Sequence, residues 1–420
     1  MPSPRSRPRA VTREVMGRRV AITGLGIVSP IGNSTREFFS NLIAGRSGIR
    51  NIEIPGTVAG VVDFDAASHF TKIQVAGLDR FSQFALVAAE EALAESGLRT
   101  EDLGAVRAGV YFGSGIGGAN ALESGYQAFL DPANGKIPPL TVISTMTNAA
   151  AAHISMRYAI RGPSLTYSVA CASSAVAIGE AYRAIRDDYL DIAIAGGAEA
   201  MLTPTMVNAW VAMKVLAKPD LAEPSRSCKP FSKDRTGLVL GEGAGVVVLE
   251  ALESVAKRRG AIRAEMAGYG IASDAVHIAK PSSEGQAAAL GRALGDAGLT
   301  ASDIGYINAH GTATVVGDIA ETKAIKDVFG AGAYKIPVSS TKALHGHLMG
   351  AAGAVEFIAA ILALESRTIP PTCHYTEPDP DCDLDYVPNS PRHDVEIDAV
   401  MSNSFAFGGT NAVLVAKRCL

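Results

Sequence analysis

The chain has 420 residues, 48% of them hydrophobic and 19% charged, with a formal net charge of −4. Such a chain suits a compact enzyme with a large core, and its charge balance gives no basic field for nucleic acid. The apolar stretches read as broken by Gly, Pro or charge before the about 18 residues a membrane span needs. Five cysteines without a CxxC pair argue against a disulfide framework or structural zinc and fit a reducing, cytoplasmic setting.

Residues 1–16 are rich in Pro and Arg and lack the apolar segment of a secretory signal. They read as a disordered extension, with Met16 an alternative first residue. From residue 17 the chain passes twice through one order of elements. Strand-like RVAITGLGI at 19 to 27 leads to helical FSQFALVAAEEALAESGL, and AEMAGYGIA leads to GQAAALGRALGDAGL. Gly97 and Gly298 supply a left-handed cap to these two helices. Apolar strands follow at 107 to 113 and 304 to 310, then helices at about 147 to 159 and about 318 to 329. Strands at 165 to 170 and 336 to 340 then lead into the Ala-rich helices ASSAVAIGEAYRAI and GAAGAVEFIAAILAL. Two strands close each half, DIAIAGG with AGVVVLE and DAVMSNS with NAVLVAK. Unbroken apolar strands are the mark of sheets covered on both faces. The pattern predicts an α/β protein of two related halves, 17–262 and 263–420, packed as one five-layered body.

In such sheets chemistry gathers at the carboxyl ends of strands. Cys171 lies where LTYSVA meets the helix ASSAVAIGEAYRAI, and a helix amino terminus favours thiolate over thiol. A buried structural cysteine is the alternative reading. At matching ends in the second half stand His310 in HGTAT, and Lys342, His345 and His347 in TKALHGH. If the halves are related by a pseudo-twofold, these groups converge with Cys171 on one pocket. A metal site of His310, His345 and His347 is a rival, but no carboxylate or cysteine partner accompanies it, so no metal is expected. Near the end, NSFAFGGTN at 403 to 411 holds paired glycines whose backbone N–H groups can face an oxyanion. GSGIGG at 113 to 118 fits GxGxxG, but Asp131 falls in a Pro/Gly loop rather than after a second strand. No dinucleotide site is expected.

Taken together, ACASS around Cys171, NAHGTAT around His310, SSTKALHGHLMGAAGA and NSFAFGGTNA resemble the β-ketoacyl-ACP synthases, closest to their type II elongating group, over residues 17 to 418. The resemblance implies a thiolase-like duplicated βαβαβαββ fold in five αβαβα layers. It implies an acyltransferase that loads an acyl chain on Cys171 and condenses it with decarboxylating malonyl-ACP. His310 and His347 would hold the malonyl thioester oxygen, ordered by Lys342 with Glu356 and Phe405 behind. The N–H groups of Cys171 and Phe407 would form the oxyanion hole, with Phe407 as gate. Thr312 and Thr314 match pantetheine contacts, and Ile116 a position shaping the acyl tunnel near a dimer interface. Lys136 and Lys214, with Lys72 a further candidate, match docking positions for an acidic carrier protein.

The family implies a homodimer, a heterodimer with a related ketosynthase being the variant, and no cofactor beyond the carrier's pantetheine arm. His345, Val315-Val316, the Trp210-containing segment and EPDPDCDLDYVPN depart from the elongating pattern. They resemble condensing enzymes of specialised acyl pathways. A thiolase would carry a second catalytic cysteine where NSFAFGGTN stands, and a non-catalytic partner subunit would dispense with Cys171.

Overall fold

The structure is a computed structural model that describes residues 17–133 and 135–419. Residues 1–16, where an extension is expected, lie outside the described residues.

Ten strands form one continuous sheet. The first five are β1 (Val20–Val28), β2 (Ala108–Gly113), β3 (Ser164–Tyr167), β4 (Ile192–Glu199) and β5 (Gly243–Ala251). The second five are β6 (Ala264–Ser273), β7 (Tyr306–Asn308), β8 (Val338–Ser339), β9 (Ala399–Phe405) and β10 (Thr410–Lys417). Their spatial order is β3-β2-β4-β5-β1 followed by β6-β10-β9-β7-β8, so the second set repeats the first in mirror sequence. The pairings repeat as well. β2 is parallel to β3 and β4, and β5 runs antiparallel to β4 and β1. β7 is parallel to β8 and β9, and β10 runs antiparallel to β9 and β6. The sets join where Val20–Ile22 of β1 pairs with Ala264–Met266 of β6.

Helices α1 (Arg80–Ser96) and α2 (Ala149–Arg157) cover the outer face of the first five strands. Next in chain order is α3 (Ser173–Arg186), then α4 (Ser283–Ala297) and α5 (Val315–Phe329), which cover the second five, and α6 (Ala352–Ser366). α3 and α6 pack against each other and against strands of both sets, giving five layers. Gly353 permits their close approach, because a Cβ there would lie 2.7 Å from Cβ of Ala175. α1 ends at left-handed Gly97 (φ 71°) and α4 at Gly298 (φ 63°), as the sequence predicts.

Some expectations need correction. The third strand stops at Tyr167 rather than at residue 170, because the chain must turn sharply to present Cys171. α5 begins at Val315, three residues early, because the Thr314 side chain accepts from the N–H of Gly317 and caps it. One apolar stretch, Met349–Ser366, does reach 18 residues. It is apolar because its helix is the central layer, with nearly all of it buried between two sets of strands. The glycines of GSGIGG serve packing: a Cβ on Gly113 would lie 2.3 Å from the backbone of Ser173 and Ser174.

Candidate active site

Five strand ends and the loops beyond them meet at one cavity of about 330 Å³, with Cys171, Asp274, His310, His347 and Phe405 in its wall. Cys171 sits on a single turn, Ala170–Ala172, between β3 and α3. Ala170 holds φ at +50°, a conformation alanine rarely takes. The Ser173 hydroxyl clamps the turn, accepting from the N–H of Val169 (2.9 Å) and donating to the Ala170 carbonyl (2.7 Å). The second half repeats the device, with Met349 at φ +49° in the turn Met349–Ala351 before α6. There Gly350 stands where the first half has Cys171.

Burial pushes the Cys171 thiol up to about 11, against the pull of Lys342 and of the N–H groups of Phe407 and Cys171 itself. The expected thiolate at the helix terminus is therefore overruled: at the buried inner wall of the cavity desolvation wins and the resting group is a thiol. The same two N–H groups mark where a negative oxygen beside the sulfur finds donors.

Thiol and imidazole ligand atoms of Cys171, His310 and His347 all lie within 4.8 Å of one another. The rings meet edge to face at 84°, centroids 5.3 Å apart. Nδ1 of His347 accepts the N–H of Met349 at 3.2 Å, and Nδ1 of His310 faces the Lys342 ammonium at 3.5 Å. Both Nδ1 atoms face donors, so both rings carry their proton on Nε2. Nε2 of His347 is buried without a partner among the described residues, which leaves its N–H for a ligand. Burial, the Lys342 charge and a neighbouring histidine hold both rings well below the usual histidine range. They are neutral donors.

Lys342 forms a fully buried ion pair with Glu356 of α6, whose carboxyl is raised by desolvation to about 7 despite that contact. Breaking such a pair leaves one charge stranded. Lys342→Met is expected to lower stability by about 3–5 kcal/mol, and the double variant Lys342→Met/Glu356→Leu to regain much of it. Urea unfolding of the singles and the double measures this; additive losses would show that the two groups are not coupled.

His345 does not join the site. Its Nδ1 meets the Gly346 carbonyl at 2.7 Å and its Nε2 the Thr341 hydroxyl at 3.0 Å, so the three-histidine cluster does not form. Thr312 and Thr314 line the cavity with hydroxyls 3.0 Å apart. Phe407 is half-buried between Ala406 and the left-handed Gly408 (φ 88°) and Gly409 (φ 79°). Its ring stacks on Trp210, centroids 6.0 Å apart, so the flagged tryptophan helix forms part of the wall. Lys214, in left-handed conformation (φ 59°), follows Met213 and precedes Val215 at the cavity edge. Lys72 and Lys136 are exposed and outside its lining. Ile116 also stands outside the lining, exposed like Leu122, Tyr126 and Phe129 on the next helix.

Two matches bear on ancestry. Residues 17–254 match the family described as Beta-ketoacyl synthase, N-terminal domain, and residues 263–376 match Beta-ketoacyl synthase, C-terminal domain. The chain belongs to the β-ketoacyl synthase family. It is 42% identical to 3-oxoacyl-[acyl-carrier-protein] synthase 2 of Coxiella burnetii, over 96% of this chain and 99% of that protein. It is also 42% identical to Nodulation protein E of Rhizobium meliloti, over 96% and 100%. Among solved structures, the ishigamide ketosynthase/chain length factor superposes with a TM-score of 0.90 at 35% identity, covering 96% and 100%.

Within this ketosynthase, two buried acids escaped sequence reasoning. Glu321 of α5 accepts from the N–H groups of His310 (2.8 Å) and Gly311 (2.7 Å) and from the Asn403 amide (3.0 Å). It fixes the histidine loop. Glu199, at the end of β4, accepts from Gly115 (2.7 Å), Ile116 (3.2 Å) and Gly350 (3.0 Å), tying the halves together. The Gly115 and Ile116 N–H groups, both within GSGIGG, are ones a dinucleotide phosphate would need. An acid closing an apolar strand was a readable signal for Glu199; Glu321 looks like any helical acid.

Proposed function

We propose that the chain is a 3-oxoacyl-[acyl-carrier-protein] synthase, an acyltransferase that lengthens a carrier-bound acyl chain by decarboxylative condensation. The observation that carries this is one thiol and two neutral imidazole donors sharing a buried cavity. The Cys171 sulfur attacks the acyl thioester, its oxygen held by the N–H groups of Cys171 and Phe407. A new S–C bond forms, the pantetheine S–C bond breaks, and the departing pantetheine thiol takes the proton Cys171 gives up. Malonyl thioester then enters past Phe407, and Nε2–H of His310 and of His347 bind its carbonyl oxygen. Loss of carbon dioxide leaves an enolate stabilised by both donors. Its carbon attacks the acyl-Cys171 carbonyl, and the sulfur leaves and regains a proton.

In this reading residues 17–262 and 263–420 are two copies of one unit, the first bringing the nucleophile and the second the donors. Thr312 and Thr314 flank the pantetheine arm, which brings all the chemistry a cofactor would. Ile116 shapes the acyl tunnel where a second subunit, identical or related, packs on its exposed neighbours. Lys214, Lys136 and Lys72 meet the acidic carrier protein, in the cytoplasmic setting its unpaired cysteines suit. Among the described residues Cys171 is the single cysteine in the cavity wall, which disfavours a two-cysteine thiolase, and its presence disfavours a non-catalytic partner subunit.

Incubation with acyl-ACP and malonyl-ACP tests the proposal. Expected are carbon dioxide and a 3-oxoacyl-ACP two carbons longer, read by mass spectrometry; a loaded enzyme that never yields this product would reject it.

A further inference from the structure

Besides His347, two buried side chains of the cavity wall keep a hydrogen-bonding atom without a partner among the described residues, Asp318 and Gln286. The Asp318 carboxylate is already engaged through its other oxygen, which accepts the N–H of Phe231 at 2.8 Å and lies 3.6 Å from Arg235, whereas no step above uses the neutral amide of Gln286. Gln286, in the first turn of α4, is 2% exposed and lines the cavity. Its Oε1 has no hydrogen-bond partner among the described residues. The polar groups beside it are engaged with one another. Asp274 accepts from the Asn411 amide at 2.6 Å and from the N–H of Ser282 at 3.1 Å. Gly285 packs directly on Asp274, so the start of α4 is held firmly against that pair.

A buried amide left unmatched is costly unless a ligand completes it. We infer that Gln286 is a substrate-positioning residue that pairs, through its side-chain amide, with a secondary amide of the pantetheine arm. The inference rests on the ketosynthase reading above. Chemistry selects this occupant among the groups the reaction brings. An acyl chain has no polar atoms to offer. A malonyl carboxylate offers acceptors alone and would repel a carbonyl oxygen. A secondary amide presents an N–H, which the unpartnered Oε1 accepts, beside a C=O within the same group for the side-chain NH2. Pantetheine carries two such groups along a thread that must pass Thr312 and Thr314 to bring its sulfur to Cys171.

The test uses the full chain with Gln286→Met, which keeps volume and removes both polar atoms. Two substrates are compared: malonyl-pantetheine, and a malonyl thioester of butanethiol that has no amide. Expected is a KM about five- to tenfold higher for malonyl-pantetheine, the size of one lost hydrogen bond, with kcat nearly unchanged. The butanethiol thioester should react alike with both proteins. Equal losses on both substrates, or none on either, overturn the assignment. A second reading needs no condensation: S-methylpantetheine, whose blocked sulfur does not consume the reagent as a thiol would, should protect Cys171 from iodoacetamide, with an apparent Kd weakened by the same factor in Gln286→Met. Unchanged protection overturns the inference even where condensation proceeds. Weakened protection in a protein that fails to condense rejects the ketosynthase reading and leaves this one standing. The variant should melt no lower than the parent, since no protein partner is lost. A clear drop in Tm would make Gln286 structural.

Discussion

Cys171→Ala should give a folded protein that takes up no acyl group. Incubated with acyl-ACP, the parent is expected to gain the mass of one acyl chain and the variant none, with condensation falling by at least about 1,000-fold. No other thiol can stand in. Cys228, Cys373 and Cys382 are buried away from the cavity, their thiols pushed up to about 12, 11 and 12 by desolvation, and Cys419 lies outside the lining, beside Arg19. The exchange deletes one atom from a cavity wall rather than from the packed interior of a layer, so Tm should move by a few degrees at most. The turn that presents the residue is held by Ser173 and by the backbone, not by the sulfur. A variant that still gained the acyl mass would show that the nucleophile lies elsewhere.

Much of this architecture could be read before any coordinates, because burial on two faces writes itself as continuous apolar runs. Helix ends were legible where a single residue type carries the signal, as Gly97 and Gly298 do. The turns that build the site were not. Ala170 and Met349 adopt left-handed backbone that neither residue favours, imposed by the strand-to-helix reversal and paid for by surrounding contacts. Local sequence has no symbol for such strain. The histidine loops were visible as motifs, yet which of their rings face the cavity depends on partners distant in the chain. His345 lies two residues from His347 but turns to Thr341 and its own backbone. The state of Cys171 was misjudged for a related reason. A helix terminus is local and legible, whereas desolvation comes from the whole fold and outweighs it. Glu321 and Gln286 act through atoms that only tertiary packing brings near, so their spacing in the sequence carries no mark, whereas Glu199 could have been noticed as an acid closing an apolar strand.

The remaining large effect belongs to the two imidazoles. His310→Ala and His347→Ala are each expected to leave acylation of Cys171 within a few-fold of the parent and to slow condensation by about 100- to 1,000-fold, the usual loss for one oxyanion donor. The division follows from geometry: the N–H groups that serve acylation belong to Cys171 and Phe407, while the Nε2–H groups aim at the second substrate. Rapid-quench mass spectrometry separates the two steps, and slowed acylation in both variants with an intact second step would reverse the assignment. His347→Asn should recover part of the loss, because its amide can also donate. Neutrality gives a further check. Burial and Lys342 hold both rings well below the ordinary histidine value, so neither gains a proton between pH 8 and about 6. Neither imidazole should therefore contribute an acid limb near pH 6.5; a limb there that is unchanged in His347→Asn belongs to Glu356, whose carboxyl is raised to about 7. A limb shifted or abolished in His347→Asn would mean that a protonated ring does the work, and the buried ammonium of Lys342 could not then sit 3.5 Å from His310 in the acting state.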